Sequence, residues 1–259
     1  MSLLTDAVLA AVSFVAGIFA AITGGTSLLT VPVMLVAGMS AGSAVATNML
    51  VITSLSIGSA LRFRRAGIAP GNPTVGLVLV SLPGSVLGAC LAVHMSELAL
   101  RTVIAVALVG MTIVLGFQPK LTTRPRAVRT RIAGYVAMAI WAIYGGMYSG
   151  GYATVLTLAC VFFFGLSLLE AIAVAKVVNL AGSLAATLLL VSQGRVQWDI
   201  GLAMSATALV GGWLGAHFAL RWGPQTLRRL LFVAVAGLGA KASYDAERRW
   251  INGPPAVVK

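Results

Sequence analysis

The chain has 259 residues, 59% of them hydrophobic and only 9% charged, with a mean hydropathy of +0.99 and a formal charge of +12. A soluble domain carries about 25% charged residues, so most of this surface has lipid rather than water as its solvent. Nucleic acid is excluded as a partner on the same ground, because the basic residues lie in short loops between apolar runs, where the positive-inside bias accounts for them.

The first apolar run, 3–22, has no basic residue ahead of it and reads as a retained first helix rather than a signal peptide. The pair Gly24-Gly25 then precedes a short run, 27–38, and longer runs follow at 42–61, 73–93 and 98–117. After the basic segment Gln118–Arg131 the pattern restarts: 132–148, a short run 153–164 behind Gly150-Gly151, then 168–191, 198–220 and 227–243. About 20 apolar residues cross a bilayer as a helix. Open sheets cannot satisfy their backbone in lipid, and these runs are too long for barrel strands. The predicted class is all-α and polytopic. Cys90 and Cys160 lie far apart in apolar runs and read as small buried hydrophobes.

The restart is a duplication. Gly38-Met39-Ser40 recurs as Gly165-Leu166-Ser167, Gly67 as Gly194, Gly84–Ala89 as Gly211–Ala216 and Arg101 as Arg228, all 127 positions on. Thr23-Gly24-Gly25-Thr26 recurs as Ser149-Gly150-Gly151-Tyr152, 126 positions on. This predicts two repeats of about five helical segments, one short or broken segment in each. The expected divisions are 1–120 for the first repeat, 121–131 for a basic cytoplasmic linker, 132–244 for the second repeat and 245–259 for a tail. Five crossings per repeat put Arg62, Arg64 and Arg65, the linker cations, and Arg221, Arg228 and Arg229 on one side. Four tail cations oppose this order. If the short segments did not cross, the Arg221–Arg229 loop would leave that side. Loop charge therefore favours inverted repeats with both termini outside.

Each glycine pair releases the chain from helical geometry just before a short helix. Such an N-terminus offers unpaired N–H groups and partial positive charge, and broken helices of this kind hold anionic groups in inverted-repeat transporters. The candidate site comprises Thr23, Gly24, Gly25, Thr26 and Ser27 in the first repeat, and Ser149, Gly150, Gly151 and Tyr152 in the second. Lys176 adds a cation deep in the 168–191 helix. Glu170, six residues away, lies about 120° around that helix and does not stack with it. An ammonium at that depth costs about 3 kcal/mol unless paired or hydrated, which suits a cavity that admits an anion. Asn48 and Asn179 complete the lining, with interhelical hydrogen bonding as the competing role for each. Ser167 and Glu170 have the spacing of a capping box.

No Walker-type loop is present and the few His, Asp, Glu and Cys residues are dispersed, so the expectation is a non-enzymatic secondary transporter without cofactor or metal. Its expected partners are the bilayer, a small anionic substrate and a coupling ion, proton or sodium. A membrane enzyme and a non-transporting assembly protein are the rival classes.

The stretch GIFAAITGGTSLLTVP from Gly17 to Pro32, followed by Gly38-Met39-Ser40 and Ala46-Thr47-Asn48, resembles the first signature of the TauE/SafE family of sulfite exporters. YGGMYSGGYATVLTL and LLEAIAVAKVVNL resemble its second. The resemblance implies a multi-pass protein of the bacterial inner membrane that moves sulfite, an organosulfonate or sulfoacetate, most simply by export. An importer or facilitator of another carboxylate or oxyanion is the alternative. It also implies Gly24, Gly25, Thr26, Gly150, Gly151 and Lys176 as site positions. Ala21, Thr23, Tyr148 and Tyr152 depart from the usual glycine-dense breaks.

Overall fold

The structure is a computed structural model and describes residues 3–68, 71, 73–117 and 128–222. Within these the chain forms nine α-helices: α1 (Leu3–Thr23), α2 (Thr26–Val36), α3 (Ala41–Arg65), α4 (Thr74–His94), α5 (Glu97–Phe117), α6 (Val128–Met147), α7 (Tyr152–Phe164), α8 (Leu168–Ser192) and α9 (Trp198–Trp222). Five of them, α1, α3, α4, α8 and α9, are long and apolar enough to cross a membrane. The two short helices fall where the glycine pairs predicted them. The expected segment 227–243 and the tail lie outside the described residues, as does most of the linker. Helix α6 already begins at Val128, inside the segment 121–131.

The helix ends show how the sequence sets this frame. Ser40 caps α3 by accepting from Ser43 N–H at 3.3 Å. Ser167 caps α8 in a full capping box, with Glu170 Oε2 accepting from Ser167 N–H at 2.9 Å, so Glu170 has the structural role expected of it. Left-handed glycines terminate α2, α3, α7 and α8 at Gly38, Gly67, Gly165 and Gly194. Beyond each, the next N–H turns back into the helix: Met39 to Met34 O, Ile68 to Phe63 O, Leu166 to Cys160 O and Arg195 to Leu190 O. A residue with a Cβ would be strained at these positions. Gly24 and Gly151 are also left-handed, with φ of +72° and +81°. The glycines at 24, 38 and 67 thus match those at 151, 165 and 194 at the one spacing of 127. The breaks align by backbone conformation one residue away from the register that the letters suggested. The second break is the longer, because Ser149 is left-handed as well.

Packing follows the duplication. Helix α1 lies along α9, and its counterpart α6 lies along α4; α3 contacts α9 as α8 contacts α4; α3 and α8 contact each other. Among the five spanning helices α3 and α8 are the most buried. The α1–α9 and α4–α6 seams are close backbone contacts. A Cβ on Gly215 would fall 2.1 Å from Ile18 O, and one on Gly88 would fall 1.9 Å from Ile143 O. Small residues permit such approach where the hydrophobic effect drives no helix association.

Candidate functional site

The two breaks meet. A Cβ on Gly24 would sit 2.6 Å from both Ala153 Cβ and Thr154 N, so the first break lies directly on the first turn of α7. The Thr154 hydroxyl donates to Thr23 O. In the other direction the Tyr148 hydroxyl donates to Ser27 O at 3.1 Å. Each break therefore grips the short helix of the opposite repeat. No side chain caps α2 at Gly25 or α7 at Gly151, so their first turns keep the donor character of uncapped N-termini.

Lys176 reaches this junction from α8. Its side chain is 1% exposed, and Nζ donates to Ala20 O at 2.5 Å. That carbonyl also accepts from Gly24 N–H at 2.9 Å, in the last turn before the break. The expected lack of a partner on α8 itself holds, and the partner is a neutral carbonyl on α1. Among the described residues no carboxylate contacts Lys176; the one ion pair there is Arg101 with Glu97. One carbonyl dipole is a weak counterweight to a desolvated ammonium.

Asn48 joins the same region from α3. Its Nδ2 donates to Ser27 Oγ at 2.8 Å, and its Oδ1 accepts from Thr30 at 2.5 Å. Asn48 thus carries the interhelical bonding weighed for it while bringing polar atoms to the start of α2. Asn179 donates to Ser56 Oγ at 3.2 Å. It continues a polar seam between α3 and α8 in which Thr53 bonds Ser183 at 3.0 Å and Thr187 at 3.3 Å.

The remaining candidates spread outward. Thr26 O lies 3.0 Å from the Thr30 hydroxyl within α2 and competes with Asn48 for that hydroxyl's one proton. Gly25 is the α2 N-cap. Gly150 O accepts from the Tyr144 hydroxyl at 2.5 Å, and Gly151 backs onto Met111 of α5. Tyr152 turns away, its ring against Gly145 and its hydroxyl 3.3 Å from Ser81 Oγ on α4. Thr23, Gly24, Ser27, Asn48 and Lys176 form the centre, while Gly151, Tyr152 and Asn179 surround it. Thr30 and Tyr144 join the site without having been expected there. Thr30 had a usable signal, since it lies four residues after Thr26 on the face that meets α3.

Spanning helices around a closed, polar junction of two helix breaks define a multi-pass membrane transporter. The chain belongs to the Sulfite exporter TauE/SafE family, whose model matches residues 9–242. It is a multi-pass protein of the bacterial inner membrane. It is 28% identical over 241 residues to a "Probable membrane transporter protein" of Haemophilus influenzae, covering 92% of this chain and 94% of that one. It is 28% identical over 237 residues to "Probable membrane transporter protein YfcA" of Escherichia coli K12, covering 91% and 88%. A "Probable membrane transporter protein ORF9" of Sinorhizobium sp is 26% identical over 237 residues, covering 90% of each chain. No solved structure matches this chain.

Proposed function

We propose that the protein is a secondary transporter that exports a small sulfur-containing anion, sulfite or an organosulfonate such as sulfoacetate, through the junction of the two breaks. The observation that carries this reading is the buried Lys176 side chain, whose amino group has the Ala20 carbonyl beside Gly24 as its partner among the described residues. An anion entering there gains a cation and two uncapped helix N-termini. Interlocked breaks suit a closed state, since Thr154 on Thr23 and Tyr148 on Ser27 must part before a solute passes.

The repeats are inverted in this reading. The paired contacts of α1 with α9 and α6 with α4 are those expected of halves related by a two-fold axis, and loop charge favours an axis in the membrane plane. Rocking one half against the other along the α3–α8 seam then exposes the junction to each side in turn. A proton or sodium gradient supplies the drive.

The test is uptake and efflux of radiolabelled sulfite, sulfoacetate and acetate in proteoliposomes, with imposed proton and sodium gradients. Flux of the sulfur anions above that of acetate, lost in Lys176→Gln, supports the proposal. Acetate flux equal to theirs would favour a general carboxylate or oxyanion facilitator, and no flux of any solute would favour a non-transporting role.

A further inference from the structure

The C-terminal end of α3 carries a feature that the junction does not use. A groove of about 470 Å³ opens between α3 and α8, lined by Ile57, Leu61 and Phe63 on one wall and Ala173, Val177 and Leu180 on the other. Phe63 and Ala173 are buried at its floor, while Ile57 and Leu61 are exposed along its edge. Arg64 lines its end, beside the turn at Gly67 and Ile68. From Ile57 to Arg64 the groove follows α3 for about 10 Å at 1.5 Å per residue. Since α3 spans the membrane, the long axis of the groove runs through the bilayer, with a charge at the end where the helix leaves it.

The electrostatics of this end are one-sided. Arg64 and Arg65 are exposed and, among the described residues, neither guanidinium has a hydrogen-bond or ion-pair partner. Arg62 is engaged instead: it bonds His217 Nδ1 at 2.9 Å and lies over the Trp213 ring. The duplication supplies an internal comparison. At 127 positions on, Ile57, Leu61 and Arg64 become Leu184 and Leu188, which are exposed, and Val191, which is partly buried, so the equivalent face is apolar and lacks the cation. The arginine near that end, Arg195, is turned onto Val93 O at 3.4 Å.

We propose that this groove is a binding site for one anionic phospholipid, an acyl chain lying between α3 and α8 and the headgroup phosphate meeting Arg64. The geometry matches that ligand: an apolar channel along a helix long and apolar enough to span, ending, where that helix ends, in a guanidinium without a partner among the described residues. Guanidinium pairs with phosphate bidentately, and basic pockets between spanning helices take anionic headgroups. The site is independent of the transported solute and of the orientation of the repeats.

The experiment is native mass spectrometry of the full chain in mild detergent, with equimolar phosphatidylglycerol and phosphatidylethanolamine of matched chains. The wild type is expected to retain one phosphatidylglycerol at least fivefold more than phosphatidylethanolamine. Arg64→Gln, at an exposed position, should lose that preference. Ala60→Phe, whose ring would fill the groove that Ala60 lines, should lose the bound lipid of either kind, while Arg195→Gln should behave as the wild type. Equal retention of the two lipids by the wild type, or an unchanged preference in Arg64→Gln, would overturn the site. So would a loss in Arg195→Gln as large as in Arg64→Gln.

Discussion

Lys176 Nζ lies 2.5 Å from Ala20 O, binding the middle of α8 to the last turn of α1 across the boundary between the repeats. An ammonium bonded to a neutral carbonyl would have a stronger partner in any anion that reached it. Lys176→Gln keeps a donor for Ala20 O but removes the charge. It should weaken anion affinity at least tenfold, whereas Lys176→Arg retains more affinity with altered selectivity. Affinity and flux in liposomes, at matched insertion, check this. Wild-type affinity in Lys176→Gln would show that the charge does not meet the substrate.

Glu170 provides the contrast. Its carboxylate is occupied by the Ser167 N–H and hydroxyl at 2.9 and 2.6 Å. Glu170→Gln should cost about 1 kcal/mol of stability or less through the weakened cap and leave flux close to wild type. A flux defect larger than that of Lys176→Gln would move the site to the carboxylate and imply proton coupling through it.

Gly24 has two reasons to be glycine: its φ of +72°, and the 2.6 Å that would separate a Cβ there from Thr154 N. Left-handed geometry costs a substituted residue about 1–2 kcal/mol, and the contact is with backbone, which cannot rotate aside. Gly24→Ala should lower the thermal midpoint by several degrees and abolish flux. Gly150→Leu should likewise reduce flux, since its Cβ would meet the Tyr148 ring at 2.2 Å. Normal flux in a well-inserted Gly24→Ala, Gly150→Leu double variant would remove the breaks from the transport path.

The close seams predict a different pattern. Gly88→Ala places its methyl 1.9 Å from Ile143 O, forcing α4 from α6, and should destabilise the protein by about 1–3 kcal/mol. Gly110→Ala on α5 meets nothing within 4 Å and should be neutral or slightly stabilising. Thermal melts in detergent separate the two, and a Gly88→Ala as stable as wild type would contradict the tight α4–α6 approach.

Inverted repeats place a reporter after Asn72 in the cytoplasm and one at Gln193 in the periplasm. Cysteine accessibility in intact cells reads this directly. Both positions on one side would mean parallel repeats and would fault the assignment by loop charge.

Much of the frame was legible because its signals are local. The glycines at 38, 67, 165 and 194 follow apolar runs and end helices by a local conformation, and Ser167 with Glu170 makes a box from neighbouring residues alone. The two short helices were readable from the glycine pairs and the length of the apolar runs. What the letters do not contain is which partner a buried polar group finds. Lys176 meets Ala20, 156 residues away, and Tyr148 meets Ser27, 121 away. The acceptors in both cases are backbone carbonyls, which every residue possesses, so no residue type advertises them. The left-handed Ser149 beside the expected glycine break was equally hidden, since a serine gives no warning of that conformation.

The pairing of α1 with α9 and of α6 with α4 bears on how the chain is made. Helix α1 meets its long neighbour only when α9 has been inserted, so that face of α1 waits in lipid while the helices between them are made. Neither half can complete its packing from its own helices. A gene cut within 118–127 should therefore yield two fragments that are degraded when expressed singly and persist when expressed together.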